Sequence, residues 1–376
     1  MTEKPGKILF LFSDTGGGHR SAAEAIIEAL GLECGQQVAT EMVDIFRDYA
    51  PPPLRNMPEL YPELVRIPEL WRLGYRLSDG RQRTRLLQAS AWPVVRRSIR
   101  TLVRQHPADL IVSVHPLANT PVLRALGSDR PSFITVVTDL ATTHMFWYDR
   151  RVDLCIVPTR QAQRRAVSAG LSRVKVRVLG LPVADRFCQP PGDRQELKQR
   201  LGWPTDRLAV MLVGGGEGMG PLDPIARALA AAQLPITLVV VAGRNTALKN
   251  RLERRIWPIP VYVYGFVHAM PDFMGAADIL LTKAGPGTIS EALNAGLPMV
   301  LYSRLPGQED GNISYVTEHG AGIWAPHPEQ VVAAVQEWIT FPAKLDKARQ
   351  ACLRLARPQA AREIACLLMD QIASRS

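Results

Sequence analysis

The sequence predicts an α/β protein made of two doubly wound domains, each a parallel sheet with helices on both faces. Its 376 residues exceed what one hydrophobic core usually serves. Apolar residues make up 47% of the chain, which is enough for two full cores. Short apolar stretches alternate with helical patterns along both halves, as in doubly wound folds.

The first half contains six segments with strand patterns, separated by helical patterns. The predicted strands are 7–12, 38–43, 109–114, 133–137, 153–157 and 175–179. The predicted helices are 19–30, 91–105 and 160–169. We assign residues 1–187 to an N-terminal domain.

The second half repeats this scheme after residues 189–193, where proline and glycine break both periodicities. The predicted strands are 208–213, 236–242, 261–264, 278–281 and 298–302, and the helices are 222–233, 246–254, 288–295 and 328–340. We assign 188–357 to a C-terminal domain. A last helix within 358–376 is expected to pack toward the N-terminal domain. Two such domains leave a cleft between them, where ligands usually bind.

Positive charge is concentrated in an insertion, about 50–104, that fits neither sheet. The chain has a net charge of +10. Ten arginines lie between Arg66 and Arg104, and they are opposed by Glu69 and Asp79 alone. This concentration indicates an anionic partner, which is a lipid headgroup, a nucleic acid or an acidic protein.

Targeting and cysteine patterns point to a protein of the cytosol or of the cytosolic face of a membrane. No apolar run approaches the roughly 20 residues that span a bilayer. We find no secretory signal pattern at the start. The five scattered cysteines favour free thiols over disulfides or a metal site.

A glycine loop at 13–19, SDTGGGH, joins the first predicted strand to the first helix. Glycines let the backbone approach a ligand, and a helix start offers unpaired N–H groups. The pattern is neither a dinucleotide fingerprint nor a P-loop. His19 can accept a proton at neutral pH, so it is a candidate general base. A histidine that caps a turn is the alternative.

A second glycine loop at 214–220, GGGEGMG, occupies the corresponding place in the second domain. One such loop is weak support for a site. Two loops at strand ends of twin domains predict a substrate divided across the cleft.

Two further segments of the second domain carry polar chemistry. Residues 283–293, KAGPGTISEAL, place glycine and threonine N–H groups at a helix start, which suits a diphosphate. Glu291 can accept two hydrogen bonds from a diol such as ribose. A capping box of Thr288 and Glu291 is the alternative. Residues 306–312, PGQEDGN, suit a polyol such as a hexose, or form a solvated loop.

These stretches together resemble monogalactosyldiacylglycerol synthases, in the wider group that includes the lipid-linked N-acetylglucosaminyltransferase of cell-wall synthesis. They are SDTGGGHR at 13–20, VSVHP at 112–116, TDL at 138–140, GLPV at 180–183, GGGEGMGP at 214–221, GRN at 243–245, GFV at 265–267, TKAGPGTI at 282–289, GLP at 296–298 and GQE at 307–309. Each is short, but the set in this order is specific and covers nearly the whole chain.

The resemblance implies the GT-B fold, with a UDP-sugar held by the C-terminal domain. Phe266 and Val267 would meet uracil, and Glu291 would bind ribose. The implied diphosphate contacts are Gly214, Gly215, Gly216, Glu217, Gly285, Gly287 and Thr288, with Arg244 as a further phosphate partner. Gln308 and Glu309 would bind the sugar hydroxyls.

The implied reaction is inverting transfer of a hexose, galactose first of all, from UDP-galactose to the free hydroxyl of 1,2-diacylglycerol. It uses no metal or cofactor. His19 would take the proton of the attacking hydroxyl. Helix N-termini and glycine-rich backbone would stabilise the departing diphosphate. Asp14 is a second-choice base, and packing is favoured for His115 and His144.

A lipid acceptor requires contact with a membrane, and the insertion contains basic amphipathic segments. For 66–88, with Trp71, Arg72 and Arg76, we expect contact with an anionic membrane surface. For 91–104, packing on the first domain is favoured.

By the resemblance, Arg124 and Trp147 would contact an anionic lipid. We expect a cytoplasmic protein in peripheral, monotopic association with the inner face of the cell membrane.

Three other functions are considered. UDP-glucose differs from UDP-galactose at one hydroxyl and would use the same pocket. A UDP-sugar 2-epimerase shares the twin-domain architecture but needs no lipid surface. A nucleic-acid-binding protein would use the arginines but leaves the glycine loops without a role, so no nucleic acid partner is expected.

Overall fold

The computed structural model describes residues 6–15, 17–35, 38–60, 67–190 and 192–374. Gly16, Arg66 and Pro191, which belong to the predicted loop, insertion and domain boundary, lie outside these residues. The chain divides into two compact units. The first comprises Met1–Asp185, Leu305–Gly311 and Gln359–Ser376, and the second comprises Arg186–Arg304 and Asn312–Pro358.

The first unit contains a six-stranded parallel sheet in the order β2-β1-β3-β4-β5-β6. Its strands are β1 (Gly6–Phe12), β2 (Val38–Asp44), β3 (Leu110–Ser113), β4 (Ser132–Val136), β5 (Leu154–Val157) and β6 (Val176–Val178). The inner strands are continuous buried apolar runs, because helices cover both faces of the sheet.

Before the second unit, five helices of this unit lie wholly within the described residues: α1 (Gly18–Cys34), α2 (Pro68–Ser78), α3 (Arg81–Gln105), α4 (Pro116–Leu126) and α5 (Arg160–Ser168). Short 3-10 helices occupy Leu54–Asn56, Met145–Trp147, Arg173–Lys175 and Asp185–Phe187. Helix α3 begins ten residues before the predicted helix 91–105 and continues through Pro93. Burial of Thr84, Ile99 and Leu102 holds the long helix together despite the hydrogen bond that proline removes.

The second unit contains another six-stranded parallel sheet, in the order β12-β11-β10-β7-β8-β9. Its strands are β7 (Leu208–Val213), β8 (Ile236–Val241), β9 (Val261–Tyr264), β10 (Ile279–Lys283), β11 (Met299–Ser303) and β12 (Gly322–Trp324). The prediction of two doubly wound α/β domains is therefore confirmed.

The second half of the chain contributes eight helices among the described residues: α6 (Arg194–Arg200), α7 (Leu222–Ala231), α8 (Thr246–Glu253), α9 (Met270–Ala276), α10 (Pro286–Asn294), α11 (Asp310–Glu318), α12 (Pro328–Thr340) and α13 (Pro342–Leu355). Helix α10 starts two residues before the predicted 288. Pro286 sits at its first turn, where a missing N–H costs nothing.

The last helix, α14 (Ala360–Ala373), belongs to the first unit. Its Ile364 and Leu368 are fully buried in one core with Ile26 of α1 and Ile8 of β1. The tail of the chain thus completes one face of the first sheet.

Candidate active site

Polar residues gather at one edge of the first sheet, beyond the ends of three neighbouring strands. The loop 13–17 follows β1, His115 follows β3, and Thr138 follows β4. The order β1-β3-β4 makes these strands adjacent, and parallel strands end at the same edge. This edge is where doubly wound folds bind ligands.

His19 is the second residue of α1 and is held between two partners. Its Nδ1 lies 2.8 Å from Oγ1 of Thr138. The ring also donates an N–H to the backbone of Val114. A neutral imidazole has one N–H and one lone pair, so the other ring nitrogen can accept a proton. Burial lowers the pKa of His19 to about 4, which keeps it neutral at physiological pH.

His115 supports His19 from behind. Its Nδ1 accepts the N–H of Leu117 at 3.3 Å, so Nε2 carries the proton and donates to Thr15 Oγ1 at 3.2 Å. The two imidazole rings meet edge to face, with centroids 4.6 Å apart. Burial holds the pKa of His115 well below its usual range. These contacts give His115 a packing role.

The other two candidates in this region are engaged elsewhere. Asp14 receives two hydrogen bonds from Arg20, at 2.6 and 2.7 Å, which lower its pKa. It braces the loop rather than facing a substrate. His144 caps the 3-10 helix Met145–Trp147, because its Nδ1 accepts the N–H of Phe146.

A buried carboxylate that the sequence-based site omitted, Asp139, directly follows Thr138, the partner of His19. Asp139 is 6% exposed and accepts a 2.6 Å hydrogen bond from the Trp147 indole and a 3.1 Å hydrogen bond from the Gln308 amide. Burial raises its pKa to about 6 in spite of these two donors. A threonine and an aspartate directly after a buried strand, as at 138–139, were the available signal.

The structure corrects the expected role of Trp147. Its side chain is fully buried, and its ring centroid lies 6.0 Å from that of His19. Because the indole N–H is bonded to Asp139, Trp147 packs behind this edge of the first sheet and presents no surface to a lipid.

In the second unit, the predicted donor residues follow four adjacent strands, β10-β7-β8-β9. The loop after β7 is folded by its glycines. Gly215 and Gly218 have φ of 73° and 60°, and a side chain at Gly218 would collide with the Ala242 carbonyl. The backbone N–H of Arg244 donates to the Gly216 carbonyl at 2.8 Å. This hydrogen bond joins the loop after β7 to the loop after β8.

Three exposed side chains meet above this loop. Arg244 forms a 2.6 Å ion pair with Glu217 and lies over the Phe266 ring, 4.7 Å from its centroid. The Phe266 ring is 48% exposed, and Val267 beside it is half-buried. An exposed aromatic face next to a guanidinium can stack a planar base while the cation faces phosphate.

The start of α10 is open and uncapped. Gly285 is the N-cap and has no side chain, so the capping box of Thr288 and Glu291 is excluded. The N–H groups of Gly287 and Thr288 have no acceptor within the helix. A methyl group at Gly287 would meet no atom within 4 Å, so an anion could reach these donors.

Glu291 lies one turn further along α10. Its side chain is half-buried, and no described residue donates a hydrogen bond to its carboxylate. Burial raises its pKa to about 7, and the positive charge of Arg186 opposes this shift. A carboxylate held out of water without a donor is ready to accept hydrogen bonds from a ligand.

Gln308 and Glu309 belong to the first unit, which corrects their assignment to the C-terminal domain. The Gly311 N–H donates to Thr142 Oγ1 at 2.8 Å. Glu309 is 5% exposed, and one carboxylate oxygen accepts the Leu305 N–H at 2.6 Å. Glu309 therefore shapes its own loop, whereas Gln308 is half-buried.

The arginine-rich insertion forms two different surfaces. Along α2, Leu70, Leu73 and Leu77 are 53%, 54% and 59% exposed, and Arg72 and Arg76 are exposed beside them. Trp71 on the same helix is half-buried. Helix α3 instead buries Ile99 and Leu102, so the predicted packing of 91–104 on the first domain is confirmed.

A cavity of about 440 Å³ opens between α3, α4 and the segment 145–151. Arginines line it: Arg81, Arg85, Arg124, Arg150 and Arg151. Arg124 lies over the Trp92 ring, 4.6 Å from its centroid. This cavity is strongly cationic.

Solved structures share this architecture. MurG from Acinetobacter baumannii has a TM-score of 0.63 at 14% identity, with 97% of this chain and 100% of that chain covered. A protein from Listeria monocytogenes, described as a UDP-N-acetylglucosamine 2-epimerase, has a TM-score of 0.62 at 14% identity, with 97% of this chain and 96% of that chain covered. At this identity the likeness shows the fold, which is the GT-B fold of two Rossmann-like domains.

Family models define the class more closely. The model for monogalactosyldiacylglycerol (MGDG) synthase matches residues 19–183, and that for the glycosyltransferase family 28 C-terminal domain matches 210–364. A probable monogalactosyldiacylglycerol synthase of Glycine max is 39% identical over 100% of this chain and 73% of its own length. Monogalactosyldiacylglycerol synthase 1 of Arabidopsis thaliana is 39% identical over 95% of this chain and 69% of its own length. The chain is a glycosyltransferase.

It belongs to the monogalactosyldiacylglycerol synthase family. The location predicted from the sequence, at the inner face of the cell membrane, is wrong, because these relatives are named as chloroplastic proteins. Within the described residues, no helix has the length and apolar character needed to cross a membrane.

Proposed function

We propose that this protein transfers galactose from UDP-galactose to the free hydroxyl of 1,2-diacylglycerol, with inversion and without a metal or cofactor. The observation that carries the proposal is the edge of the second sheet. There, the open start of α10 and the Glu291 carboxylate, to which no described residue donates, follow β10, and the exposed Phe266 ring follows β9. The glycine loop after β7 and Arg244 after β8 come between them in the strand order. These groups match the diphosphate, the ribose and the uracil of UDP.

The uracil, the ribose and the diphosphate of the donor each have a counterpart in the second unit, and the hexose has its counterparts in the first. Uracil stacks on Phe266 and meets the backbone at Val267, while Arg244 leaves Glu217 for phosphate. The N–H groups of Gly287 and Thr288 hold the diphosphate as it departs, because helix starts stabilise anions. Gln308 is proposed to contact the hexose. Glu309, whose carboxylate also accepts the Leu305 N–H, is proposed as a second contact of the hexose.

The acceptor side is proposed at the first sheet edge. The glycerol hydroxyl oxygen attacks the anomeric carbon, its proton passes to the lone-pair nitrogen of His19, and the bond to UDP breaks. One displacement inverts the anomeric centre, so an α-linked donor gives a β-galactolipid. The neutral state that burial imposes on His19 is the state that a base requires.

A membrane surface supplies the lipid. The exposed leucines of α2, with Arg72 and Arg76 beside them, suit an interfacial position on anionic lipid. The arginine-lined cavity beside Arg124 is proposed as a second contact with anionic headgroups.

Turnover of two donors tests the proposal. The protein is incubated with diacylglycerol vesicles and UDP-galactose or UDP-glucose, with EDTA present, and the lipid product is analysed by chromatography and NMR. We expect a β-galactosyl lipid. A glucosyl lipid would change the donor, and no glycolipid from either donor would reject the assignment. Conversion of the donor into an epimeric UDP-sugar without a lipid product would favour the epimerase alternative, whose fold the chain shares.

The base is tested by His19→Ala. We expect turnover to fall about 10²–10⁴-fold, with UDP affinity unchanged when measured by calorimetry. His319→Ala, at an exposed histidine of the second unit, is the control. Full turnover by His19→Ala would remove this residue from the base role.

A further inference from the structure

The Gln308 side chain is held in one orientation by a buried acceptor. Asp139 is 6% exposed, and each of its carboxylate oxygens has one donor. Oδ2 accepts from the Trp147 indole at 2.6 Å, and Oδ1 accepts from the Gln308 amide nitrogen at 3.1 Å. Although burial raises the pKa of Asp139 to about 6, the group is ionised at neutral pH and can only accept.

The direction of these hydrogen bonds is therefore fixed by chemistry. The Trp147 indole is a donor and has no acceptor atom. An ionised Asp139 cannot donate, so Gln308 must turn its NH₂ group toward Asp139. The amide carbonyl of Gln308 is then directed away from Asp139 and can accept.

We infer that Asp139 is a specificity-determining positioning residue, which makes Gln308 present a hydrogen-bond acceptor to a hydroxyl of the donor hexose. This inference rests on the proposed function, since it requires a hexose at Gln308. Asp139 itself touches no substrate. It acts through the Gln308 amide, while Trp147 forces the direction of the chain of hydrogen bonds.

Two other contacts keep Gln308 in place along the backbone. Gly307 has φ of 87°, and a side chain there would lie 3.0 Å from the Tyr75 ring. The Gly311 N–H donates to Thr142 Oγ1. With the backbone fixed on both sides, the direction of the amide is left to Asp139.

Asp139→Asn keeps the size of the side chain and should reverse the hydrogen bond to Gln308. The single carbonyl of the new asparagine must face the Trp147 indole, so its NH₂ group faces Gln308. Gln308 must then flip and present NH₂ to the hexose. We expect the Michaelis constant for the UDP-hexose to rise at least about tenfold, the cost of opposing two donors, with that for diacylglycerol unchanged.

Reversing the pair should restore the acceptor. In Asp139→Asn with Gln308→Glu, the asparagine NH₂ donates to one Glu oxygen, and the other oxygen faces the hexose. The net charge of the pair is unchanged. Gln308→Glu alone opposes two carboxylates and should lower both the melting temperature and turnover, because like charges at this distance disfavour ionisation.

The experiment measures steady-state constants for both substrates, and melting temperatures, for the wild type, the two single variants and the double variant. We expect the double variant to recover the donor Michaelis constant to within about threefold of the wild type. Trp147→Phe with Asp139→Asn gives an independent arm, because without the indole donor the asparagine can turn its carbonyl to Gln308 and recover part of the loss.

The outcomes separate the two hypotheses. An active wild type with a double variant no better than Asp139→Asn would overturn the inference and leave the proposed function standing. A wild type that makes no glycolipid would reject the proposed function, while the melting temperatures would still report the Asp139–Gln308 pairing. If Asp139→Asn does not fold, recovered folding and donor affinity in the double variant support the inference, and continued loss counts against it.

Discussion

Three titratable groups set the chemistry of the candidate site at the scale of single residues: Asp139, which is buried, and His19 and Glu291, which are half-buried. Burial lowers the pKa of His19 to about 4 and raises those of Asp139 and Glu291 to about 6 and about 7. In each case the loss of water disfavours the charged form. Groups perturbed in this way collect at functional sites; His19 and Glu291 lie in helices that follow glycine-containing loops, and Asp139 follows β4.

Glu291→Gln is expected to weaken UDP binding at least about tenfold, because a charged acceptor of two ribose hydroxyls is lost. The ionised form of Glu291 is the better acceptor. Wild-type affinity should therefore fall as the pH drops through about 7, and the variant should lose this dependence. Calorimetric titration of UDP between pH 5.5 and 8.5, about 1.5 pH units on either side of this pKa, measures both effects.

The same substitution should stabilise the unliganded protein. The folded-state pKa of about 7 lies above the ordinary glutamate value of 4.5, so ionisation disfavours folding as the pH rises between these values. Above this range we expect Glu291→Gln to gain on the order of 1 kcal/mol in free energy of unfolding. Glu329→Gln, at an exposed position, is the control. A pH-independent affinity in the wild type would contradict this account of Glu291.

The sequence predicted some residues of the candidate site and missed others. The glycine loops and Glu291 were found because strand, loop and helix start are consecutive in the chain. Asp139 was missed because its contact with Gln308 joins residues 169 apart in the chain. The lipid contact of Trp147 was expected from the resemblance alone, and a tryptophan suits a membrane surface as well as a core.

At the scale of elements, two glycines have different roles. Gly218 is required for the fold of its loop, whereas Gly287 leaves space for a ligand. Gly218 has φ of 60° and no room for a side chain, whereas Gly287 has space and an ordinary helical place. Gly218→Ala should lower stability by at least about 1–2 kcal/mol, the cost of left-handed backbone in an L-residue. Gly287→Ala should keep the melting temperature but weaken UDP binding. Equal melting temperatures and equal UDP affinities in both variants would count against a diphosphate at α10.

Helix α2 is the element proposed to meet the membrane. Leu73→Glu places a charge in the exposed leucine row, and we expect binding to vesicles with anionic lipid to fall at least about tenfold. Turnover of a detergent-dispersed acceptor should be retained, because Leu73 is far out on the surface of α2. Val174→Glu, at a 73% exposed apolar residue elsewhere in this unit, is the matched control. Equal vesicle binding by both variants would remove α2 from the membrane surface.

The element bounds show what local pattern can and cannot predict. Every predicted strand was found within about two residues at each end, because buried parallel strands are unbroken apolar runs. The start of α3 was placed at 91 instead of 81, since Pro93 normally marks a helix start. The three-residue β12 was missed because it is too short to show a period.

At the scale of the whole molecule, the chain enters the first unit three times. Leu305–Gly311 and Gln359–Ser376 return to it from the second unit. Local patterns predicted α14 as a helix, but its burial depends on a surface formed by residues near the other end of the chain.

The first unit should therefore depend on the last helix for its stability. Leu368 is fully buried and packs with Ile26 and Ile8. Leu368→Asp buries an unpaired charge and should cost at least about 3 kcal/mol of unfolding free energy. Cys366→Asp, on the exposed face of the same helix, is the control. Urea unfolding is followed by fluorescence in variants that keep either Trp147, buried in the first unit, or Trp203, buried in the second, as the single tryptophan. It should show an early loss confined to the first unit. Coincident, unshifted transitions in both variants would mean that α14 is dispensable.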